Sequence, residues 1–175
     1  MADSAPAPES AAQAAAPSKS LAEQSSGPAH RIPARIAAGD AVAVIGLGRF
    51  GSAVALGLMD AGVEVLGIDS DITIVDALAD HLTFAAQADS TSTEALQQLA
   101  VPEFDKVVVG IGANLSASVL TVSHLIDFGV PEVWAKAVSD DHARILRQLG
   151  LANVIQPEAE IGQQLAGQIA KPASP

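Results

Sequence analysis

Three glycines, Gly46, Gly48 and Gly51, stand in the spacing G-x-G-x-x-G directly after the apolar run 41–45, and Asp69 closes the next apolar run. The chemistry this pattern supports is anion binding by main chain. Gly46 permits a tight turn out of a strand, Gly48 lets backbone approach a pyrophosphate with no Cβ between them, and Gly51 lets the following helix pack closely. The helix N-terminus then faces the phosphates, and the Asp69 carboxylate can accept hydrogen bonds from ribose hydroxyls. A bound adenine nucleotide is the expectation. Arg49, inside GLGRFG, falls in the first turn of that helix, whose positive end disfavours an arginine unless an anion sits opposite. It is read as reaching a terminal phosphate, against the plainer reading of a solvated surface arginine.

Further candidates fall at the ends of later apolar runs. Leu47 and Phe50 complete the glycine loop, and Ser70 follows Asp69. Asp89 and Ser90 end a third run, with Asp89 left spare if a capping box from Thr91 to Glu94 starts the next helix. Gly112, Ala113 and Asn114 end a fourth, where Gly112 would allow close backbone approach. An ordinary turn aspartate and a structural glycine are equal alternatives for Asp89 and Gly112. Lys136 sits among apolar neighbours, where an ammonium needs a carboxylate or a phosphate.

The elements that must position these residues alternate throughout. The expected strands are 41–45, 63–68, 83–88, 106–111, 133–138 and 153–156. The expected helices follow the glycine loop and then span 71–79, 92–99, 115–128, 141–149 and 159–170. Ser70 or Asp71, Asn114 and Asp140 serve as caps, and Ile72, Val75 and Leu78 share one face of the second helix. Helix 115–128 carries apolar residues on more than one face and is expected to be buried or shared with a partner. Such alternation predicts an α/β fold: a Rossmann-like doubly wound parallel sheet in order 3-2-1-4-5-6, with the crevice at the ends of strands one and four.

Composition narrows the function. The hydrophobic content of 49% with only 3% aromatics implies an aliphatic core, and the lack of cysteine excludes disulfides, thiolate metal sites and cysteine nucleophiles. No apolar run approaches the length of a membrane span, so no direct membrane insertion is expected. The net charge of -11 argues against nucleic acid as a partner. Residues 1–38, rich in Ala, Pro, Ser and Gln, read as a disordered leader; 39–171 form the domain and 172–175 a tail.

The segments GLGRFG at 46–51, VLGIDSD at 65–71, AD at 88–89, VVVGIGANLSASVL at 107–120, VWAKA at 133–137 and QPEAEIG at 156–162 together resemble the N-terminal lobe of the RCK (KTN, TrkA-N) family, as found in cytosolic regulatory subunits of Ktr and Trk potassium transporters. The resemblance covers about 41–170. It implies binding of ATP/ADP or NAD(H) and self-assembly into dimers and rings, an octameric ring among them. It also implies gating of a potassium-conducting membrane subunit (KtrB/TrkH-like) and a cytoplasmic place at the inner face of the membrane. Residue by residue, it places Arg49 at the terminal phosphate of ATP and Asp69 at the ribose. Glu158 would attend a Mg2+ or Ca2+ ion at the triphosphate; the plainer reading of Glu158 is a favourable partner for a helix dipole. The stripe Ile161, Leu165 and Ile169 matches part of the family's dimer contact. Family members commonly continue into a second, ligand-binding lobe, whereas this sequence ends at Pro175, so no response to that lobe's ligands is expected.

Two other readings stand beside this one. A nicotinamide-dependent oxidoreductase fragment would need an acid or base at a substrate pocket, yet His30 lies in the leader and His81, His124 and His142 fall on helices or turns. A pure assembly domain with a vestigial nucleotide loop would give Arg49 and Asp69 no reason for their positions. The expectation is therefore a regulatory protein rather than an enzyme.

Overall fold

The structure, a computed structural model, describes residues 40–170; the expected leader and tail lie outside them. Six parallel strands form one sheet: β1 (Val42–Ile45), β2 (Val65–Asp69), β3 (Phe84–Gln87), β4 (Lys106–Val109), β5 (Glu132–Lys136) and β6 (Asn153–Ile155). Their order is β3-β2-β1-β4-β5-β6, as the alternation predicts. Between and after them run helices α1 (Arg49–Asp60), α2 (Ile72–Leu78), α3 (Thr93–Gln98), α4 (Leu115–Asp127), α5 (Asp140–Gln148) and α6 (Pro157–Ile169), with a 3-10 turn at Val101–Glu103.

The central strand β1 is buried on both faces, which is why it reads as an unbroken apolar run. Alternate residues feed two cores. Val42 and Val44 join Leu47, Ala55, Val65 and Leu82 beneath α1 and α2. Ala43 and Ile45 join Leu66, Ile68, Leu96, Val107, Leu125 and Leu146 beneath α3, α4 and α5. Each fully buried Leu or Ile contributes about 1.5–3 kcal/mol, so the aliphatic content suffices with little aromatic filling; among the described residues Phe104 is the one Phe, Tyr or Trp that is fully buried.

Helix starts hold the departures from expectation. Asp71 and Asn114 cap α2 and α4 as expected, accepting from the amides of Thr73 and Ala117. The cap of α3 is Ser92, whose Oγ accepts from the amide of Ala95, and not Thr91. Thr91 is occupied elsewhere: its amide and hydroxyl both donate to Asp89 Oδ1, at 2.9 and 2.7 Å. Ser139, not Asp140, caps α5, which begins one residue earlier than expected. Likewise α6 begins at Pro157, whose missing N–H costs nothing in a first turn. On α2 only Val75 is buried, while Ile72 is exposed, so the expected three-residue apolar face is not fully used.

In α4, Ser118, Thr121, Val122 and Leu125 are buried while Leu115, Leu120 and Ile126 are exposed. No residue of α6 is buried; Ile161, Leu165 and Ile169 are 62%, 53% and 75% exposed.

Candidate nucleotide site

The loop from β1 to α1 is set by close backbone contacts that only glycine allows. Gly46 has φ +86, and its carbonyl lies where a Cβ on Gly51 would have to go and 2.7 Å from where one on Gly110 would. Gly51 thus serves the loop carbonyl first, with Val44 of β1 3.7 Å away. Gly110, which follows β4, is a third member of this contact that the G-x-G-x-x-G spacing does not include. Gly48 is different: nothing lies within 4 Å of its Cβ position, which opens to solvent.

Gly48 is the N-cap of α1 and has no side chain to satisfy the first amides, nor is any acid present in the first turn. By contrast α2, α3, α4 and α5 all have side-chain caps. The first amides of α1 therefore remain available to an outside acceptor at the positive end of the helix. Below them a cleft of about 540 Å³ opens at the ends of β1, β2, β3 and β4.

Of the candidate residues, Gly46, Gly48, Asp69, Ser70, Asp89, Ser90, Gly112, Ala113 and Asn114 line this cleft. Apolar walls come from Ile45, Ile68, Ile74 and Ile111, which the sequence did not single out although Ile45, Ile68 and Ile111 end or follow strands already placed there and Ile74 lies in the first turn of α2. Leu47, Arg49, Phe50, Gly51, Lys136 and Glu158 do not line it. Leu47 turns its side chain into the core, and its amide donates to Asp69 Oδ2 at 2.7 Å. The other Asp69 oxygen accepts from the amide of Asp71 at 2.9 Å. Each carboxylate oxygen still has a lone pair for a ribose hydroxyl.

Asp89 is not spare. Thr91 engages one of its oxygens, and the Thr91 hydroxyl, followed by its amide, holds the carboxyl below the usual range. Ser90 is buried and pins the loop after β3 to α4 through the Thr121 hydroxyl, 2.9 Å away.

Outside the cleft lining, beside Phe50 in the first turn of α1, polar groups from three elements gather. Lys136 pairs with Glu158 at 2.5 Å, supplying the carboxylate that an ammonium among apolar neighbours requires. That hydrogen bond is the main reason the Glu158 carboxyl lies below its usual value; its own backbone amide adds to this, and Arg49 contributes through its charge. Among the described residues no group of three or more His, Cys, Asp or Glu converges as a metal site.

A parallel sheet with a glycine loop, a free helix N-terminus and an acid at the end of β2 defines a Rossmann nucleotide-binding fold. The TrkA-N domain family matches residues 42–157, and the chain belongs to that family. It is 38% identical over 127 residues to Ktr system potassium uptake protein C of Bacillus subtilis, covering 73% of this chain and 58% of that protein. The chain thus spans little more than half the length of this relative. Among solved structures, the TrkA-N domain of inner membrane protein ybaL from Escherichia coli superposes with a TM-score of 0.68. It is 20% identical and covers 75% of this chain and 97% of that one. A Kef C-terminal domain from Shewanella denitrificans in its AMP-bound form gives 0.60 at 17% identity, covering 75% and 82%. At these identities the structural matches establish the fold.

Proposed function

We propose that this chain is a nucleotide-binding regulatory subunit of a Ktr/Trk-type potassium uptake system, with no catalytic chemistry of its own. The observation that carries the reading is the uncapped N-terminus of α1 above a cleft whose far wall is the Asp69 carboxylate. Amides and dipole take the phosphates, Asp69 takes the ribose, and the isoleucine walls take the adenine. Asp69, Ser70, Asp89, Ser90, Gly112, Ala113 and Asn114 are the contacts along the cleft, and Arg49 and Lys136 attend the last phosphate. ATP/ADP or NAD(H) share the adenosine moiety that such a site grips, and the AMP-bound Kef domain supports an adenine ligand. A Mg2+ or Ca2+ ion would enter with the triphosphate, with Glu158 attending it.

The exposed stripe on α6 supports self-assembly, as a dimer and in larger rings, with the potassium-conducting membrane subunit as docking partner. No described helix is long and apolar enough to cross a membrane. Attachment at the inner, cytoplasmic face would therefore run through that partner. Calorimetry with ATP, ADP, NADH and NADPH, beside potassium flux in vesicles holding the membrane subunit, tests the reading. Adenine nucleotides should bind and change the flux; a chain that binds none of them and leaves flux unchanged would refute it.

A further inference from the structure

Beyond β5 the chain turns into α5, and the few residues of this turn back one wall of the cleft. The amide of Ala137 still follows the strand pairing, donating to the Ile155 carbonyl at 2.8 Å. The next amide, that of Val138, donates instead to His142 Nδ1 at 3.3 Å. His142 in turn gives its own amide, at 3.2 Å, to the Oγ of Ser139, the cap of α5. The arrangement is a capping box in which an imidazole replaces the usual Glu or Gln at the third helical position and reaches one residue further back.

Val138 does not line the cleft, but Gly112 does. Val138 Cγ1 lies 3.1 Å from where a Cβ on Gly112 would stand, nearer than the end of the Lys136 side chain at 3.8 Å. The Gly112 wall therefore rests on Val138, and Val138 is held by one imidazole nitrogen. We propose that His142 is a positioning residue for the cleft: its neutral ring holds the Val138 amide and seats Val138 against Gly112, and a proton on Nδ1 releases that segment and weakens nucleotide binding. The inference rests on the nucleotide reading above and adds a residue outside the cleft that sets its shape.

The Val138 amide can only donate, so the bond needs Nδ1 to be the unprotonated nitrogen. A proton there would bring two donors face to face. The surroundings favour the neutral ring: His142 is fully buried and stands in the first turn of α5, at the positive end of the helix. Burial lowers its pKa below the ordinary 6.5 with no charged neighbour contributing. The charged groups of α5 are Asp140, which accepts from Gln156, Asp141, which pairs with Arg144, and Arg147. α5 packs on α4 and β6. α4 brings His124, whose ring meets the Thr91 carbonyl, and Asp127; β6 brings no ionisable group. β5 carries Glu132, which accepts from Trp134, and Lys136, paired with Glu158. Nucleotide affinity should therefore be complete above about pH 6.5 and fall as the pH drops towards the lowered value.

Calorimetry of the full chain with NAD+ between pH 7.5 and 5 tests this, because NAD+ lacks the terminal phosphate that in ADP titrates near about pH 6. The affinity of the parent chain should fall roughly two- to tenfold over that range, as for the loss of one hydrogen bond. ADP serves as the second ligand, its own ionisation being common to parent and variants and cancelling in their ratio. His142→Leu should bind weakly at every pH. His142→Gln, with an acceptor that does not titrate, should restore most of that loss at pH 7.5 and give a flat profile. Val138→Ala keeps both the amide and the titrating ring but takes the methyl groups off Gly112. Its affinity should be low and flat while its stability, read by denaturant titration, keeps the pH dependence of the parent; that pair of readouts separates positioning from a loss of folded protein. A flat profile in the parent, or a slope that persists in His142→Gln or Val138→Ala, would overturn the inference and leave the nucleotide reading intact. If neither NAD+ nor ADP binds at pH 7.5, the nucleotide reading fails and the inference falls with it.

Discussion

The amide of Leu47 donates to Asp69 Oδ2 at 2.7 Å, joining the glycine loop to the end of the neighbouring strand. One carboxylate thus shapes the glycine loop and faces the cleft, where the proposed function has phosphate and ribose respectively. Asp69→Ala is expected to lower stability by about 1–3 kcal/mol, because the Leu47 amide loses its acceptor. It should also weaken ATP, ADP and NADH by a similar factor. Thermal unfolding and calorimetry read the two effects separately, and unchanged ADP and NADH affinity would leave Asp69 a loop residue only. In the parent chain NADPH should bind worst, since its 2′-phosphate meets that carboxylate.

Arg49 is exposed in the first turn of α1, close enough to Glu158 for its charge to act there. Arg49→Ala should weaken ATP by a factor corresponding to about 1.5–3 kcal/mol and ADP by less, because a charge-assisted bond to the last phosphate is lost. Equal losses in calorimetry would remove that role.

The ease of reading the fold and the difficulty of reading the site have the same origin. Buried parallel strands are continuous apolar runs, so β1 and β4 are visible to within two residues of their observed ends. Helix caps are less so: Thr91 and Ser92 are both competent, and the choice fell to Ser92 because Asp89 draws Thr91 into a local turn. The need of Lys136 for an anion was legible from its neighbours. That Glu158 answers it was not, since the two meet only when β5 and α6 are in place. Gly110 left a signal, a glycine directly after a buried run, but its contact with Gly46 arises from strand pairing and not from spacing.

A single charge on the α6 stripe should be enough to test assembly. Leu165→Asp is expected to shift a concentration-dependent dimer to monomer in light scattering while leaving the lobe folded, because Leu165 is 53% exposed and packs on no core. Unchanged mass would place the interface elsewhere.

His142 is fully buried, its Nδ1 accepts from the amide of Val138 at 3.3 Å, and its Nε2 has no partner among the described residues. Burial lowers its pKa below the ordinary 6.5. The unfolded chain therefore binds this proton more readily. The corresponding stability is complete above about pH 6.5 and is lost as the pH falls towards the lowered value. Denaturant titrations between pH 7.5 and 5 should show that decline, and His142→Gln should flatten it while lowering stability at pH 7.5. Parallel slopes for both chains would exclude His142 as the source.

Val42 pairs with Lys106 and Ile45 with Val109, so the sheet is closed at its middle by strands that are remote along the chain. The cleft straddles that seam: β1 and β2 provide one wall and the segment after β4 the other. Neither half owns a complete cleft, so under the proposed function a nucleotide would recognise only the joined state and bridge the two halves of the sheet. The concentration of such a ligand would then enter the folding equilibrium of the lobe as a whole.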